Sequence, residues 1–186
     1  ANRCPICGIG PANELDHYVP QSDLEIFTVF VRNLVPICHE CNTSKGSYTP
    51  AAPNERFVHA YYDPLPEQHL SVDVSIVNEG LLTSYGVPEF LDEVAQIGER
   101  VSFQLERLKL SDRWSDEVIN YLSAHEAAFE TVFESLGAEG VSTFLGAQAG
   151  KEEVRFGLSN WRPVLLRALS SDAEFCDGGF KIVLKF

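Results

Sequence analysis

The chain has 186 residues, and its 27 acidic residues against 14 basic residues give a formal net charge of −13. This excess of acid disfavours unaided binding to a polyanion, because the phosphates repel the chain and little counterion release compensates. No uninterrupted apolar run exceeds three residues, which argues against a membrane-spanning helix and against the apolar region of a signal peptide.

The first elements along the chain are two short cysteine turns, Cys4-Pro-Ile-Cys7 and Cys38-His-Glu-Cys41. Four thiolates in two Cys-x2-Cys pairs are the ligands that Zn²⁺ takes at a closed tetrahedral site. A segment of about 40 residues buries little apolar surface, so it needs such a metal to hold its shape. The spacing therefore predicts a structural zinc site, with disulfides or unconnected thiols as the alternatives. Reduced thiols favour a cytoplasmic location.

Polar residues suited to chemistry lie between and just after the two cysteine turns. Asp16-His17 lies in a short strand-like run, and Asn33 opens a second apolar run that leads into the second cysteine turn. Asn42 follows that turn directly, at the start of a predicted helix. The sequence thus predicts two strands and a helix around one metal, with Asp-His on the first strand and Asn on the helix.

This arrangement resembles the ββα-metal fold of HNH endonucleases over roughly residues 3–47, a quarter of the chain. The resemblance implies that His17 is the general base that takes a proton from the attacking water. It also implies that Asp16 and Asn42 bind one catalytic divalent ion, which stabilises charge at the scissile phosphate. Asn33 resembles the family residue that hydrogen-bonds the backbone near the base and fixes the imidazole orientation.

The same resemblance also indicates candidate contacts with the substrate and the metal to expect. Lys45 is placed to meet a phosphate beside the cut, and Arg32 is a second candidate for a phosphate contact. Asn42 stands where many relatives have a third histidine, and an amide oxygen is a weaker ligand than imidazole for zinc-like ions. The catalytic ion is therefore expected to be Mg²⁺ or Mn²⁺, in contrast to the structural Zn²⁺. His39 and Glu40 are expected to be exposed spacers.

The second part of the chain shows hairpin and helix patterns and no catalytic motif. Apolar and polar residues alternate before the turn Asn78-Glu79-Gly80, and from Pro88 the apolar period becomes helical. Cys176 lies in an apolar stretch and is predicted to be a buried small hydrophobe. The predicted elements are a hairpin over residues 71–85, helices over 90–108 and 111–136, shorter helices near 141–148 and 161–169, and a closing strand over 180–186.

The predicted fold class is α+β, with an N-terminal zinc-stapled ββα-metal (HNH) module followed by a β-hairpin and an acidic, mainly helical domain. We place the module in residues 1–60 and the acidic domain in residues 61–186. The first part holds 4 basic and 6 acidic residues and the second holds 10 and 21. A protein partner with a basic surface is therefore predicted to dock on the acidic domain and to bring the substrate. A small basic rim around the site is the alternative.

The resemblance implies a metal-dependent endonuclease that hydrolyses phosphodiester bonds in DNA. Small HNH proteins of this kind are similar to the nuclease subunit of Septu-type bacterial defence systems, which implies anti-phage defence under the control of an ATPase partner. The alternatives are a stand-alone restriction-like or phage-encoded HNH nuclease and a non-enzymatic zinc scaffold. The chain starts at Ala1 and contains no Met, so further residues are expected before it.

Overall fold

The computed structural model of the protein describes residues 3–91 and 96–185. Within those residues the fold is α+β, as predicted. Contacts divide the chain into two compact units, Ala1–Pro66 with Glu89–Leu110 and Glu67–Pro88 with Ser111–Phe186. None of the helices in the described ranges is both long enough and apolar enough to cross a bilayer. The elements are strands β1 (Glu14–His17), β2 (Leu34–Ile37), β3 (Ser71–Val77) and β4 (Gly80–Gly86), and helices α1 (His39–Lys45), α2 (Ile97–Arg107), α3 (Leu110–Ser123), α4 (Glu126–Phe156), α5 (Trp161–Ser171) and α6 (Phe180–Val183).

In the first unit, β1 and β2 pair antiparallel, with Glu14 opposite Ile37 and Asp16 opposite Val35. Val35 and Ile37 are 3% and 0% exposed, because alternation along β2 turns these two side chains to the same, inner face. Both strands are edge strands, so the sheet tolerates Pro36, which has no backbone N–H to donate. α1 begins after a single intervening residue, so the strand, the second cysteine turn and the helix form one continuous segment.

The segment that follows α1 is held to β1 and α2 by hydrogen bonds. The hydroxyl of Tyr18 donates to the Phe57 carbonyl oxygen over 2.8 Å. The guanidinium of Arg100 donates to the same oxygen, also over 2.8 Å. The backbone N–H of Val58 donates to Oε1 of Gln104 over 3.0 Å. Helix α2, which lies in the part of the sequence predicted to form the acidic domain, therefore contacts the segment after α1 within the first unit.

In the second unit the predicted hairpin is confirmed, since β3 and β4 pair antiparallel along seven residues each. Asn78 and Glu79 form its turn with φ values of 50° and 65°, the positive range that a two-residue hairpin turn requires. Tyr85 on β4 is buried. Its ring packs edge-on against Trp114 of α3, with ring centroids 5.0 Å apart. This contact attaches the hairpin to the helices of the same unit.

Helices α3 and α4 replace the single helix predicted over residues 111–136. α4 has one non-helical residue, Gly137, whose φ of 66° and ψ of −159° suit a residue without a Cβ. Gly137 was predicted as a stop, and it does break the helical path, but the chain resumes a helix that continues to Phe156. The short helix predicted near residues 141–148 lies within the part of α4 that follows Gly137.

The C-terminal segment forms helix α6, and the prediction of a closing strand there is wrong. Phe180, Val183 and Leu184 are buried, at 0%, 8% and 1% exposure. Spacings of three and four place these side chains on one helical face. The ring of Phe180 lies 5.6 Å from that of Phe129, which α4 contributes to the same core. The run alternates like a strand and also has a helical stripe, and packing against the aromatic core selects the helix.

Asp63 joins the segment after α1 to α2. Its carboxylate pairs with the guanidinium of Arg100 and accepts a hydrogen bond from the backbone N–H of His59 over 2.7 Å. Burial alone would raise the pKa of Asp63, but the hydrogen bonds from Arg100 and His59 lower it below its ordinary value of 3.8. The folded state thus favours the charged carboxylate. Its stabilising contribution is complete above the unfolded pKa and is lost as the pH falls through the lowered pKa.

Asp63→Asn is expected to lower the free energy of unfolding by about 1 kcal/mol near pH 7, because it removes a charged acceptor from Arg100. At a pH below the lowered pKa the wild-type carboxyl is itself protonated, so the difference should largely vanish. Urea denaturation followed by circular dichroism at both pH values measures it. Asp73→Asn, at an exposed position of β3, is the control. An equal loss at both pH values would refute the assigned ion pair.

Candidate active site and zinc centre

The four cysteines of the two turns come together in the structure. Their sulfur atoms all lie within 4.8 Å of one another, and the residues are at most 5% exposed. Sγ of Cys7 and Sγ of Cys38 are 3.7 Å apart, whereas a disulfide requires about 2.05 Å. Zinc with tetrahedral Zn–S bonds of about 2.3 Å separates its sulfurs by about 3.8 Å. The predicted cysteine cluster is confirmed, and its spacing fits a zinc ion.

Backbone hydrogen bonds and two glycines shape the first cysteine turn. The N–H of Cys4 donates to the Gly10 carbonyl oxygen over 2.8 Å, and the N–H of Gly8 donates to the Cys4 carbonyl oxygen over 2.9 Å. Gly8 has a φ of 68°, which glycine adopts without steric cost. A Cβ on Gly10 would lie 3.1 Å from Cβ of Cys38. Glycine there allows the first turn to approach the second closely.

The protonation states of the four sulfurs depend on one another. Hydrogen bonds with Cys41 and Cys7 lower the pKa of the Cys4 thiol to about 3. Hydrogen bonds with Cys4 and Cys7, together with burial, raise the pKa of Cys41. Four buried sulfurs this close hold four thiolates only when a cation lies between them. Complete ligation is therefore coupled to the binding of a metal ion.

Asp16 and Lys45 form a buried ion pair between β1 and α1. They are 7% and 2% exposed, and Nζ of Lys45 lies 3.1 Å from Oδ1 and 2.9 Å from Oδ2 of Asp16. Nζ also donates to the carbonyl oxygen of His17 over 2.8 Å. The pair fixes the Asp16 carboxylate against the end of β1. A phosphate contact by Lys45, as expected from the sequence, would require its ammonium group to leave Asp16.

The imidazole of His17 faces the loop between β1 and β2. Its Nε2 atom lies 3.0 Å from the carbonyl oxygen of Thr28. A carbonyl oxygen only accepts hydrogen bonds, so Nε2 carries the hydrogen and Nδ1 carries the lone pair. The amide nitrogen of Gln21 lies 3.0 Å from Nε2 and 3.4 Å from Nδ1, and since two donors do not bond, only Nδ1 can receive its hydrogen. A general base needs this tautomer.

Asn33 ties together the two ends of the same loop. Its Oδ1 atom accepts from the N–H of Val19 over 2.7 Å, and its Nδ2 atom donates to the carbonyl oxygens of Val19 (3.0 Å) and Phe27 (3.2 Å). Phe27 directly precedes Thr28, whose carbonyl oxygen holds the imidazole of His17. Asn33 is 5% exposed. It is linked to the His17 imidazole through the backbone of Phe27 and Thr28.

Asn42 reaches from α1 to Glu14 on β1. Its Nδ2 atom donates to Oε2 of Glu14 over 2.7 Å, and Nδ1 of His39 lies 2.7 Å from Oε1. The hydrogen bond from Asn42, followed by that from His39, lowers the pKa of Glu14. The amide oxygen of Asn42 is the atom left for a metal. Asp16 and Asn42, the two ligands expected from the sequence, are thus held by different partners.

Arg32 lies on the surface at the end of the loop between β1 and β2. Its guanidinium carbon is 5.7 Å from the centre of the Tyr62 ring. Its carbonyl oxygen accepts from Nε2 of His59 over 3.1 Å, and His59 is 6% exposed. Arg32 itself is exposed, so its guanidinium can meet a phosphate without rearrangement.

Three residues that sequence reasoning did not select contact the candidate site: Glu14, Gln21 and His59. Glu14 lies two residues before Asp16, and alternation along a strand puts both on one face, so this signal was available. Gln21 follows His17 by four residues in a loop that has no regular period. His59 reaches Arg32 through tertiary packing, for which the sequence carries no local signal.

In the part of the chain that the structure describes, the cysteine cluster is the one group of three or more His, Cys, Asp or Glu side chains arranged to hold a metal ion. A carboxylate oxygen and an amide oxygen are hard donors that suit Mg²⁺ or Mn²⁺. Mg²⁺ commonly takes one or two protein ligands and fills its other positions with water and phosphate oxygens. The donor chemistry of Asp16 and Asn42 therefore fits an ion that also binds the substrate.

Comparison with known proteins finds a family match over the segment that contains this site. Residues 4–48 match the model of the HNH endonuclease family. Protein ea31 of Escherichia phage lambda is 36% identical over 63 residues, which are 33% of this chain and 21% of that protein. The chain thus spans about a fifth of the length of this curated relative. No solved structure shows a significant match.

Cys7→Ser is expected to remove about one zinc ion per chain and to destabilise the first unit, because zinc ligation is coupled to folding. Elemental analysis measures the zinc content and urea denaturation the stability. Cys176→Ala is the matched control, since Cys176 is also buried, at 4% exposure, but lies in the second unit and donates to the Leu169 carbonyl oxygen. Full zinc content in the Cys7 variant would refute the cluster as the zinc site.

Lys45→Met is expected to lower the free energy of unfolding by about 3 kcal/mol, because it leaves the buried Asp16 carboxylate without its cation. Adding Mg²⁺ should recover part of that loss, since an ion at Asp16 replaces the ammonium charge. Urea denaturation with and without Mg²⁺ measures both effects. Lys151→Met, at an exposed position of α4, should show neither. If Mg²⁺ leaves the Lys45 variant unchanged, Asp16 is not a ligand of the ion.

Proposed function

We propose that this chain, whose residues 4–48 form an HNH endonuclease domain, is a metal-dependent endonuclease that hydrolyses phosphodiester bonds in DNA. The observation that carries the proposal is the placement of His17. His17 follows the buried Asp16 at the end of β1, and Nε2 of its imidazole is held by the Thr28 carbonyl oxygen over 3.0 Å. A catalytic base requires a fixed ring and a lone pair on the opposite nitrogen.

In the proposed reaction the attacking water displaces the Gln21 amide from Nδ1 of His17. Nδ1 takes a proton from this water as the water oxygen bonds to phosphorus and the bond from phosphorus to the leaving oxygen breaks. Thr28 keeps the ring in one tautomer and one orientation through its carbonyl oxygen, and Asn33 holds the loop that carries Thr28. Asp16 and Asn42 would hold Mg²⁺ or Mn²⁺, which supplies charge stabilisation at the phosphate and the leaving oxygen. Arg32 is the proposed phosphate contact, because it is exposed.

The second candidate function is a non-enzymatic zinc module. It is favoured by the buried pairing of Asp16 with Lys45 at 2.9 Å, which satisfies this proposed ligand without an ion. Nδ2 of Asn42 is also paired, with Glu14 at 2.7 Å. A scaffold needs the cysteine cluster but has no use for a base. The two candidates therefore differ in whether His17 is required for any measurable chemistry.

For the biological setting we propose anti-phage defence with an ATPase-type partner docked on the acidic part of the chain. Residues 61–186 hold 21 acidic and 10 basic residues, a net charge of −11. Glu130, Glu134 and Glu139 of α4 are exposed and could meet a basic surface. The alternative is a phage-encoded nuclease that acts alone, and the similarity to a phage lambda protein supports its phage origin. ATP hydrolysis by protein that co-purifies with the chain distinguishes the two settings.

The purified chain is expected to nick or cut plasmid DNA with Mg²⁺ or Mn²⁺, and His17→Ala should lower the rate by about 10²-fold or more, because it removes the general base. Agarose gels measure the cleavage. His69→Ala changes a histidine of the second unit and should leave the rate unchanged. Equal cleavage by the wild type and the His17 variant would refute the assigned base. The absence of cleavage with every ion and every partner tested would favour the scaffold.

A further inference from the structure

The loop between β1 and β2 exposes large apolar side chains beside the candidate base. We define the apolar loop as residues Leu24–Val31. Single exposed apolar side chains are ordinary on protein surfaces, but a cluster within one short segment marks a contact surface. The exposed fractions are 47% for Leu24, 78% for Ile26, 84% for Val29, 49% for Phe30 and 78% for Val31.

The apolar loop has a defined conformation. It contains the 3₁₀ turn Glu25–Phe27 and leads into a second such turn, Val31–Asn33. Nδ2 of Asn33 donates to the Phe27 carbonyl oxygen over 3.2 Å, and the rings of Phe27 and Phe30 lie 5.8 Å apart. A loop that is held in place at several points can present its exposed side chains without a large loss of conformational entropy on binding.

The position of the apolar loop identifies its occupant. The carbonyl oxygen of Thr28, within the loop, accepts the hydrogen bond from Nε2 of His17 over 3.0 Å. A molecule that covers the loop therefore lies beside the reacting imidazole. A protein docked there would obstruct the substrate, whereas the substrate itself must come to this place. The occupant that fits this geometry is the nucleic acid that is cut.

We propose that the apolar loop is a wedge that enters the minor groove of DNA beside the scissile phosphate, an inference that rests on the proposed nuclease function. Its five exposed apolar side chains have no hydrogen-bonding groups, so they cannot form the hydrogen bonds that read most base edges in the major groove. Apolar side chains in the minor groove insert between base steps and partially unstack them. Among the apolar residues of the loop that precede Phe30, Ile26 and Val29 are the most exposed. We assign these two side chains as the ones that insert between the bases.

The wedge also offers a way for an acidic chain, with a net charge of −13, to bind DNA. Contacts between basic side chains and phosphate lose strength as salt is added, because they depend on counterion release. Burial of apolar surface against bases does not depend on counterions. The wedge therefore supplies affinity for DNA that the charge of the chain does not supply, and this part of the affinity persists at higher salt.

The test compares the double variant Ile26→Ser/Val29→Ser with Val154→Ser, a matched control at a position of α4 that is 92% exposed. Two substrates are used with Mn²⁺: plasmid DNA and bis(p-nitrophenyl) phosphate, a small ester without a groove. The double variant is expected to cut DNA about tenfold more slowly and to hydrolyse the small ester at the wild-type rate. The control should match the wild type on both, and zinc content verifies that each variant is folded.

Base unstacking gives a second readout that does not require cleavage. Duplex DNA containing 2-aminopurine is titrated with the His17→Ala chain, and fluorescence should rise as the wedge opens a base step. The same chain with Ile26→Ser/Val29→Ser should give no rise, whereas Val154→Ser should retain it. If the chain with Ile26→Ser/Val29→Ser gives the same fluorescence rise as the His17→Ala chain alone, the wedge is overturned.

The outcomes separate failure of the wedge from failure of the proposed function. If the wild type hydrolyses neither substrate with Mg²⁺ or Mn²⁺, the proposed function fails. If it hydrolyses both and the loop variant keeps full DNA cleavage, only the wedge fails. If the loop variant loses self-association in analytical ultracentrifugation while DNA cleavage stays intact, the apolar loop is a contact between copies of this chain, and the wedge is overturned.

Discussion

The meeting of four sulfurs within 4.8 Å is the constraint on which the first unit depends. One pair lies before β1, and the other flanks the start of α1, so bringing the pairs together closes the strand, loop, strand and helix into a ring. The apolar burial available inside that ring is small, with Val35 and Ile37 as its buried strand residues. Zinc–thiolate binding contributes roughly 10–16 kcal/mol in small zinc domains. Zinc bound at the four sulfurs would thus replace the core that so short a segment cannot build.

The constraint reaches the imidazole through the backbone. The cluster of four sulfurs fixes the ends of β1 and β2, and Asn33 fixes the loop that joins these strands. The Thr28 carbonyl oxygen then fixes Nε2 of His17. A carboxylate in place of that carbonyl would also set the tautomer, but it would add a negative charge next to the phosphate of the proposed substrate. A backbone partner orients the ring and adds no net charge. The charges of the site are then those of Asp16, Lys45, the Glu14 carboxylate bonded to Asn42, and whatever binds there.

Local patterns in the sequence predicted local features, and contacts across the chain decided the rest. The Cys-x2-Cys spacing predicted the sulfur cluster, and strict alternation predicted the β3–β4 hairpin. The run after Gly179 alternates as well, yet it is helical, because Phe180 packs on the aromatic core that Phe129 of α4 provides. Lys45 near the end of a short helix reads as a surface cation. It is buried because the ring brings residue 45 to residue 16, 29 positions away.

The charge balance at Asp16 links the ion to the substrate. In the structure one ammonium group neutralises one carboxylate, at 3% and 9% side-chain exposure, so the pair is satisfied without an ion. A divalent cation bound at Asp16 would add two positive charges to a buried, already neutral pair, which is unfavourable in a medium of low dielectric constant. Phosphate oxygens of the proposed DNA substrate would supply the compensating negative charge. With the proposed ligands, metal and DNA therefore bind with positive coupling, and each raises the affinity for the other by the same factor.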